Sequence, residues 1–231
     1  MADLAPPRHI LFDWDNTLVD SASTIQRAFT RALEQAGLDV DTFLEARNAM
    51  PYSSNRVMFP VLFGPRSEEL QTYYHNAYAC HHLEMLRPFE GIEAMLDDLA
   101  KAGIECSVIS NKTHYFLEKE IDQLGWNGRF KGFVGAGQAA SDKPDKAHFL
   151  THCRRFCLNP DQAEEFWYVG DSEVDLQFAN VTGMKSIIID HQSQERTAQD
   201  FQHQGFQHQA DRLIHRPFEI MQLVSGTVQV H

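Results

Sequence analysis

Long apolar runs are missing from this chain of 231 residues, and with them any stretch near the roughly 20 residues that a membrane-spanning helix needs. Positive charge is scarce. Twenty Lys and Arg stand against 32 Asp and Glu, for a net charge of −12. A nucleic-acid surface needs clustered Lys and Arg, so no nucleic-acid partner is expected. The balance does not exclude an anionic substrate, because the field in a cleft follows local charge and any bound metal. Cysteine is limited to positions 80, 106, 153 and 157, without a Cys-x-x-Cys pair. Two of these fall in apolar stretches and read as small core residues of a protein in a reducing compartment. The start, Met1-Ala-Asp-Leu-Ala-Pro-Pro-Arg-His9, lacks a basic segment followed by an apolar one. With no membrane partner indicated, the expected location is the cytoplasm. No internal repeat is evident, and the one biased segment, the Gln- and His-rich stretch 191–210, reads as a surface loop.

What is present is ordinary globular material, 43% hydrophobic and 23% charged, enough for one large domain or a domain with an insert. Short apolar runs alternate with amphipathic stripes, the pattern of a parallel sheet with helices on both faces. Ile25, Ala28, Phe29, Ala32, Leu33 and Ala36 recur at helical spacing, and Gly37 follows as a stop. Ile92, Met95, Leu96, Leu99 and Ala100 form a second stripe ended by Gly103, and Leu117, Ile121 and Leu124 a third ended by Gly125. A fourth comprises Phe149, Leu150, Cys153, Phe156 and Cys157. Strands are expected at 10–12, 104–109, 167–169 and 187–189, with a weaker one at 133–134 and a last short strand and helix over 210–224. Residues 21–87 break the alternation: they carry helical stripes, interrupted by Pro51, Pro60 and Pro65. An all-helical insert is the simplest reading.

Three of the apolar runs end in polar or charged residues just before a helical pattern. Ile10-Leu-Phe-Asp13-Trp-Asp15 ends in carboxylates at alternate positions, which a strand end projects to one side. The same Asp-x-Asp also serves to cap a helix, so alone it is ambiguous. Val108-Ile-Ser110-Asn111-Lys112 and Trp167-Tyr-Val-Gly170-Asp171-Ser-Glu-Val-Asp175 are the other two. Meeting at one sheet edge, these ends would gather Asp13, Asp15, Ser110, Asp171 and Asp175 at the crevice where open parallel sheets bind ligands. So many carboxylates cannot share a dry site without an offsetting cation and a positive side chain. Mg²⁺ and Lys143 would serve, since Mg²⁺ is held by one or two carboxylates with waters and substrate phosphate. Taken singly, Asp171 and Asp175 could instead complement a helix dipole, and Lys143 could be a solvated lysine.

Together these motifs resemble the haloacid-dehalogenase-like hydrolase superfamily, in particular its phosphoglycolate-phosphatase-like branch with a helical cap. Four motifs occur in order: Asp13-Trp-Asp15-Asn-Thr17, Ser110, Lys143, and Gly170-Asp171-x-x-x-Asp175, with Arg87-Pro-Phe-x-Gly91 also familiar. The likeness spans nearly the whole chain. It implies a Rossmann-like α/β core over residues 1–20 and 88–231, with residues 21–87 as a cap that closes over the site. It further implies hydrolysis of a small phosphorylated metabolite, such as phosphoglycolate or a nucleotide monophosphate. Asp13 would be the nucleophile and Asp15 the acid and base. Mg²⁺ would be held by Asp13, Asp171 and the Asp15 carbonyl, with Asp175 orienting the metal shell or Lys143. Ser110, Asn111 and Lys143 would meet the phosphate, while Thr17 and Asn111 shape the loop.

Three departures from the pattern stand out: Trp14 in place of a smaller apolar residue, Asn16 where glycine is frequent, and Lys146 where proline is. Trp14 suggests a reshaped pocket floor. Asn tolerates the unusual backbone angles of its position. A phosphotransferase such as a sugar-phosphate mutase, or an inert binding protein of the same fold, are the alternatives. A dehalogenase would not need Asp15 or the metal, and a phosphonate-cleaving relative would need a cap lysine, which residues 21–87 lack. In the cap, Met50–Arg56 is the expected specificity tip, with Arg47 and Arg56 as partners for a second anionic group. Cys80-His81-His82 and His191, His203, His208 and His215 read as solvated. A monomer or homodimer is expected.

Overall fold

The computed structural model describes residues 4–50, 54–191 and 210–226. Six strands form its sheet: β1 (His9–Phe12), β2 (Glu105–Thr113), β3 (Phe133–Ala136), β4 (Phe166–Gly170), β5 (Lys185–Ile189) and β6 (Arg212–Ile214). Their order is β3-β2-β1-β4-β5-β6, and every neighbouring pair is parallel. The chain runs from β1 to one side through β2 and β3, then returns to the other side of β1 as β4. The carboxyl end of β1 is therefore the switch point at which such sheets open a crevice.

Between β1 and β2 come five helices of an insert, α1 (Ala22–Ala36), α2 (Val40–Asn48), α3 (Asn55–Phe63), α4 (Ser67–Ala79) and α5 (His82–Met85), and then α6 (Ile92–Lys101). The later helices are α7 (His114–Leu124), α8 (Lys146–Phe156), α9 (Glu173–Thr182) and α10 (Glu219–Ser225). Glycines in the left-handed conformation end several of these as the sequence suggests, among them Gly37 (φ 65°) and Gly125 (φ 69°). None of the described helices is long and apolar enough to cross a membrane.

Strand alternation divides the core in two. Ile10, Phe12, Val108, Trp167, Val169, Ile187 and Ile189 face α6, α7 and α10. Leu11, Ile109 and Tyr168, one position out of phase, face α8 and α9. Each fully buried Ile, Leu or Val contributes roughly 1.5–3 kcal/mol relative to exposure. A one-residue register slip would exchange the faces, forfeit that burial and aim Asp13 the wrong way. The insert has its own apolar cluster, built on Phe29, Leu33, Phe59, Phe63, Leu70, Tyr74 and Tyr78 and joined by Phe116 of α7. Its neck is two paired segments: Asp20 N–H donates to the Arg87 carbonyl (2.9 Å), and Phe89 N–H to that of Leu18 (3.1 Å).

Some local expectations change. Pro60 lies inside α3 rather than breaking it, at the cost of one backbone donor to the Arg56 carbonyl. Pro65 sits in the short turn Gly64–Arg66 that follows, while Pro51 falls outside the described residues. Cys106 and Cys153 are buried, and Cys80 and Cys157 are exposed. Most of the Gln/His segment, including His203 and His208, also lies outside the described residues.

Candidate active site

Asp13 is the first residue past β1, held in line with the sheet by its N–H bond to the Val169 carbonyl (2.8 Å). It keeps the phase of Leu11 and so points to the face where Tyr168 lies. Lys143 reaches the same point from the loop before α8. Its ammonium donates to Asp13 Oδ1 (2.8 Å), Asp175 Oδ1 (2.7 Å) and the Tyr168 hydroxyl (2.7 Å), which itself donates to the Ile109 carbonyl (2.7 Å). All three ammonium hydrogens are thus accounted for. Burial opposes the charge on Lys143, but Asp13 and Asp175 outweigh it and leave the ammonium more basic than usual. Asn111 secures the lysine's backbone with both ends of its amide: Nδ2 donates to the Lys143 carbonyl (3.0 Å) and Oδ1 accepts its N–H (2.9 Å). A second hydrogen on Nδ2 is what a phosphate contact would use. Ser110 is buried beside it on β2 and accepts the Lys112 N–H (3.2 Å).

Gly170 ends β4, Asp171 follows it, and Asp175 lies in the first turn of α9. The second oxygen of Asp175 accepts from Asp171 N–H (3.2 Å), Ser172 N–H (3.1 Å) and Ser172 Oγ (2.5 Å), tying the turn into a cap of the helix. A Cβ on Gly170 would collide with the Asp175 side chain, which explains the glycine. Both Asp175 oxygens are thereby engaged, a supporting rather than a ligating arrangement. Asp171 meets the Thr17 hydroxyl (3.4 Å). One oxygen each of Asp13, Asp171 and Asp175 lies within 4.8 Å of the others.

Crowding shows in the electrostatics. Burial pushes the Asp13 carboxyl up to about 6, against the pull of Lys143 and helped by Asp175 and Asp15. Burial, then Asp175 and Asp13, push Asp171 well above the carboxylate range. Such a set of hard oxygen donors, strained by mutual repulsion, fits a small divalent cation such as Mg²⁺.

Asp15 stands on the cleft's other side, with Lys112 Nζ 2.6 Å from its Oδ1. Lys112 is in turn 2.5 Å from the Tyr78 hydroxyl and 3.3 Å from Glu120. Burial works against the Lys112 charge, yet Asp15, Glu120 and Tyr78 hold its ammonium well above the ordinary range. Asn16, the residue after Asp15, adopts φ 59°. Trp14 does not floor the pocket. It is fully buried against Trp126 (5.8 Å between rings) and donates Nε1–H to Glu120 (2.6 Å).

The cleft of about 200 Å³ is lined from the core by Asp13, Asp15, Ser110, Asn111, Lys112 and Lys143 and from the insert by Arg47, Asn55, Tyr74 and Tyr78. Arg47 also lies over the Phe29 ring (5.0 Å). Arg56 is not among the lining residues and pairs with Asp142 of the core (3.3 Å), next to Lys143. Two histidines expected in solvent are not there. His82 is buried with Nδ1 2.9 Å from Glu120, and His191 stacks on Phe89 (3.7 Å) with Nε2 2.9 Å from the Thr17 carbonyl. Lys112, Tyr168, Tyr78 and Glu120 are site residues that the motifs did not single out.

Sheet topology, carboxylate cleft and helical insert are those of an α/β enzyme with a capped active site. Residues 10–189 match the family model of the haloacid dehalogenase-like hydrolases, and the chain belongs to that family. Among curated relatives, it is similar to a phosphoglycolate phosphatase of Xylella fastidiosa, 30% identical over 79% of this chain and 80% of the relative. It is also similar to an N-acetylmuramic acid 6-phosphate phosphatase of Pseudomonas aeruginosa, 28% identical over 78% and 80%. A haloacid dehalogenase-like hydrolase from Streptococcus pneumoniae shares its fold, with a TM-score of 0.73 and 21% identity over 93% of this chain and 97% of that one.

Proposed function

We propose that the protein is a Mg²⁺-dependent phosphatase of a small phosphorylated metabolite, working through an aspartyl-phosphate on Asp13. The observation that carries this reading is the pairing of Asp13 with Lys143 Nζ at 2.8 Å beside the carboxylates of Asp171 and Asp175. Phosphoryl transfer asks the protein for an in-line nucleophile, charge neutralisation and a proton for the leaving oxygen. An Asp13 oxygen attacks phosphorus, and Asp15 protonates the departing alkoxide. Asp15 then takes a proton from the water that cleaves the Asp13–phosphorus bond. Lys143 lessens the repulsion between Asp13 and the incoming dianion and, exchanging one of its three present acceptors for a phosphoryl oxygen, binds the group with Ser110 and Asn111. Asp13, Asp171 and the Asp15 carbonyl would hold Mg²⁺, which supplies further neutralisation of the transferring group. Asp175 keeps Lys143 and the Asp171 turn in place. The helical insert acts as the lid, excluding water and contacting the rest of the substrate through Arg47.

A cleft of about 200 Å³ suits a small metabolite better than a polymer. The relatives' named substrates, phosphoglycolate and N-acetylmuramic acid 6-phosphate, head the panel to be tried. Phosphate release from at least one such ester is expected with Mg²⁺, abolished by EDTA and restored by added Mg²⁺. Release of halide from 2-haloacids without metal, and no phosphate from any ester, would overturn the reading.

A further inference from the structure

Two aspartates two residues apart each have a lysine, and the lysine of Asp15 has no part in the scheme above. Lys112 is buried, two positions beyond Ser110 on β2, and both line the cleft. It donates to Asp15 Oδ1 (2.6 Å) and to the Tyr78 hydroxyl (2.5 Å), and pairs with Glu120 Oε2 (3.3 Å). Tyr78 belongs to the insert. It passes its own hydroxyl hydrogen to Glu120 Oε1 (2.9 Å), where His82 Nδ1 also lies at 2.9 Å. The other Glu120 oxygen accepts from Trp14 (2.6 Å), the residue between the two catalytic aspartates.

A fully buried carboxylate is costly unless paired and hydrogen-bonded. Glu120 meets that condition only with contributions from the catalytic loop, β2 and the insert at once. Withdrawal of the insert would take Tyr78 and His82 from it and would take the Tyr78 oxygen from Lys112. The network therefore exists in full only with the insert seated on the core.

We propose that Lys112 is a positioning residue for the leaving-group step: it holds Asp15 by Oδ1 and is itself seated by Tyr78, so that cap closure aligns the acid. The inference rests on the reading of Asp15 as proton donor. In a protonated carboxyl one oxygen accepts and the other carries the hydrogen. Lys112 on Oδ1 assigns the hydrogen to Oδ2, which gives it to the ester oxygen as the phosphorus–oxygen bond breaks and the Asp13–phosphorus bond forms.

A poor leaving group needs that proton and a good one does not. The test is kcat/KM, which reports the phosphorylation step, for an alkyl monophosphate turned over by the wild type and for p-nitrophenyl phosphate. Lys112→Met should lose about 100-fold or more on the alkyl ester and less than about tenfold on the aryl ester. Tyr78→Phe, which removes one oxygen, should show the same selectivity at about three- to tenfold, and it decides alone if the lysine variant does not fold. Equal losses on both esters, or none, in the folded variants would overturn the role and make Lys112 a substrate anchor or a structural cation. A wild type that releases phosphate from no ester of the panel with Mg²⁺ would instead overturn the phosphatase reading, and this inference with it.

Discussion

Asp13 and Asp15 differ at the residue scale by what neutralises them. Lys143 joins Asp13 to Asp175 and to the Tyr168 hydroxyl, whereas Lys112 joins Asp15 to Glu120 and to a tyrosine of the insert. In the proposed mechanism this fixes the nucleophile from the core and the acid partly from the insert. The two arginines expected to read specificity divide as well. Arg47 lines the cleft, while Arg56, still half-exposed, pairs with buried Asp142 on the loop that delivers Lys143. Arg47→Ala is expected to lower kcat/KM about tenfold, a loss of ~1.4 kcal/mol, on a substrate with a second anionic group. It should leave a plain aryl phosphate nearly unchanged. Arg56→Ala should instead weaken both substrates alike, because it loosens the contact between lid and core. Steady-state kinetics on the two substrates checks both statements, and equal losses for Arg47→Ala would remove it as a specificity residue.

Among elements, the helices of the core were the easiest to read. Ile92, Met95, Leu96 and Leu99 are buried along α6, and Leu117 and Ile121 along α7, as their spacing requires. β1, β4 and β5 followed from short apolar runs. β2 was underestimated, since it continues to Thr113 through Ser110, Asn111 and Lys112, polar residues that a hydrophobicity criterion stops at. The site motifs were legible because Asp13, Asp171 and Asp175 are local signals at element ends. The Lys112 network was not, because apart from Lys112 and Glu120 themselves its bonded pairs stand 34 to 106 positions apart in the chain. One trace was present: Glu120 shares the buried face of α7 with Phe116, Leu117 and Ile121. A lone glutamate on an apolar stripe marks a paired charge. His82 went unread for the same reason, since its partner lies 38 residues away.

For the whole molecule, three histidines buried between the sheet and α8, His9 on β1 and His148 and His152 on α8, are favoured in the neutral form by burial. Burial lowers His9 to about 4, His148 to about 4 and His152 to about 3. In the unfolded chain they titrate near 6.5. Between about pH 6.5 and 4 the unfolded chain therefore binds more protons, and their contribution to stability falls as the pH falls. Asp13, raised to about 6, acts in the opposite sense in metal-free protein, gaining stability on protonation. Comparison of variants separates the two. Urea unfolding of His152→Phe and wild type across pH 4–8 should show a shallower acid loss in the variant. An unchanged slope would mean that the histidines do not set it.

The proposed metal-dependent phosphatase stands or falls on Asp13 as covalent nucleophile. The most direct measurement is phosphate release by Asp13→Asn, with Mg²⁺ present, on the best ester of the panel. Less than about 1% of wild-type kcat is expected, with thermal unfolding little changed, since a covalent nucleophile is worth at least that much. Retention of more than about 1%, in a folded variant free of wild-type contamination, would contradict it.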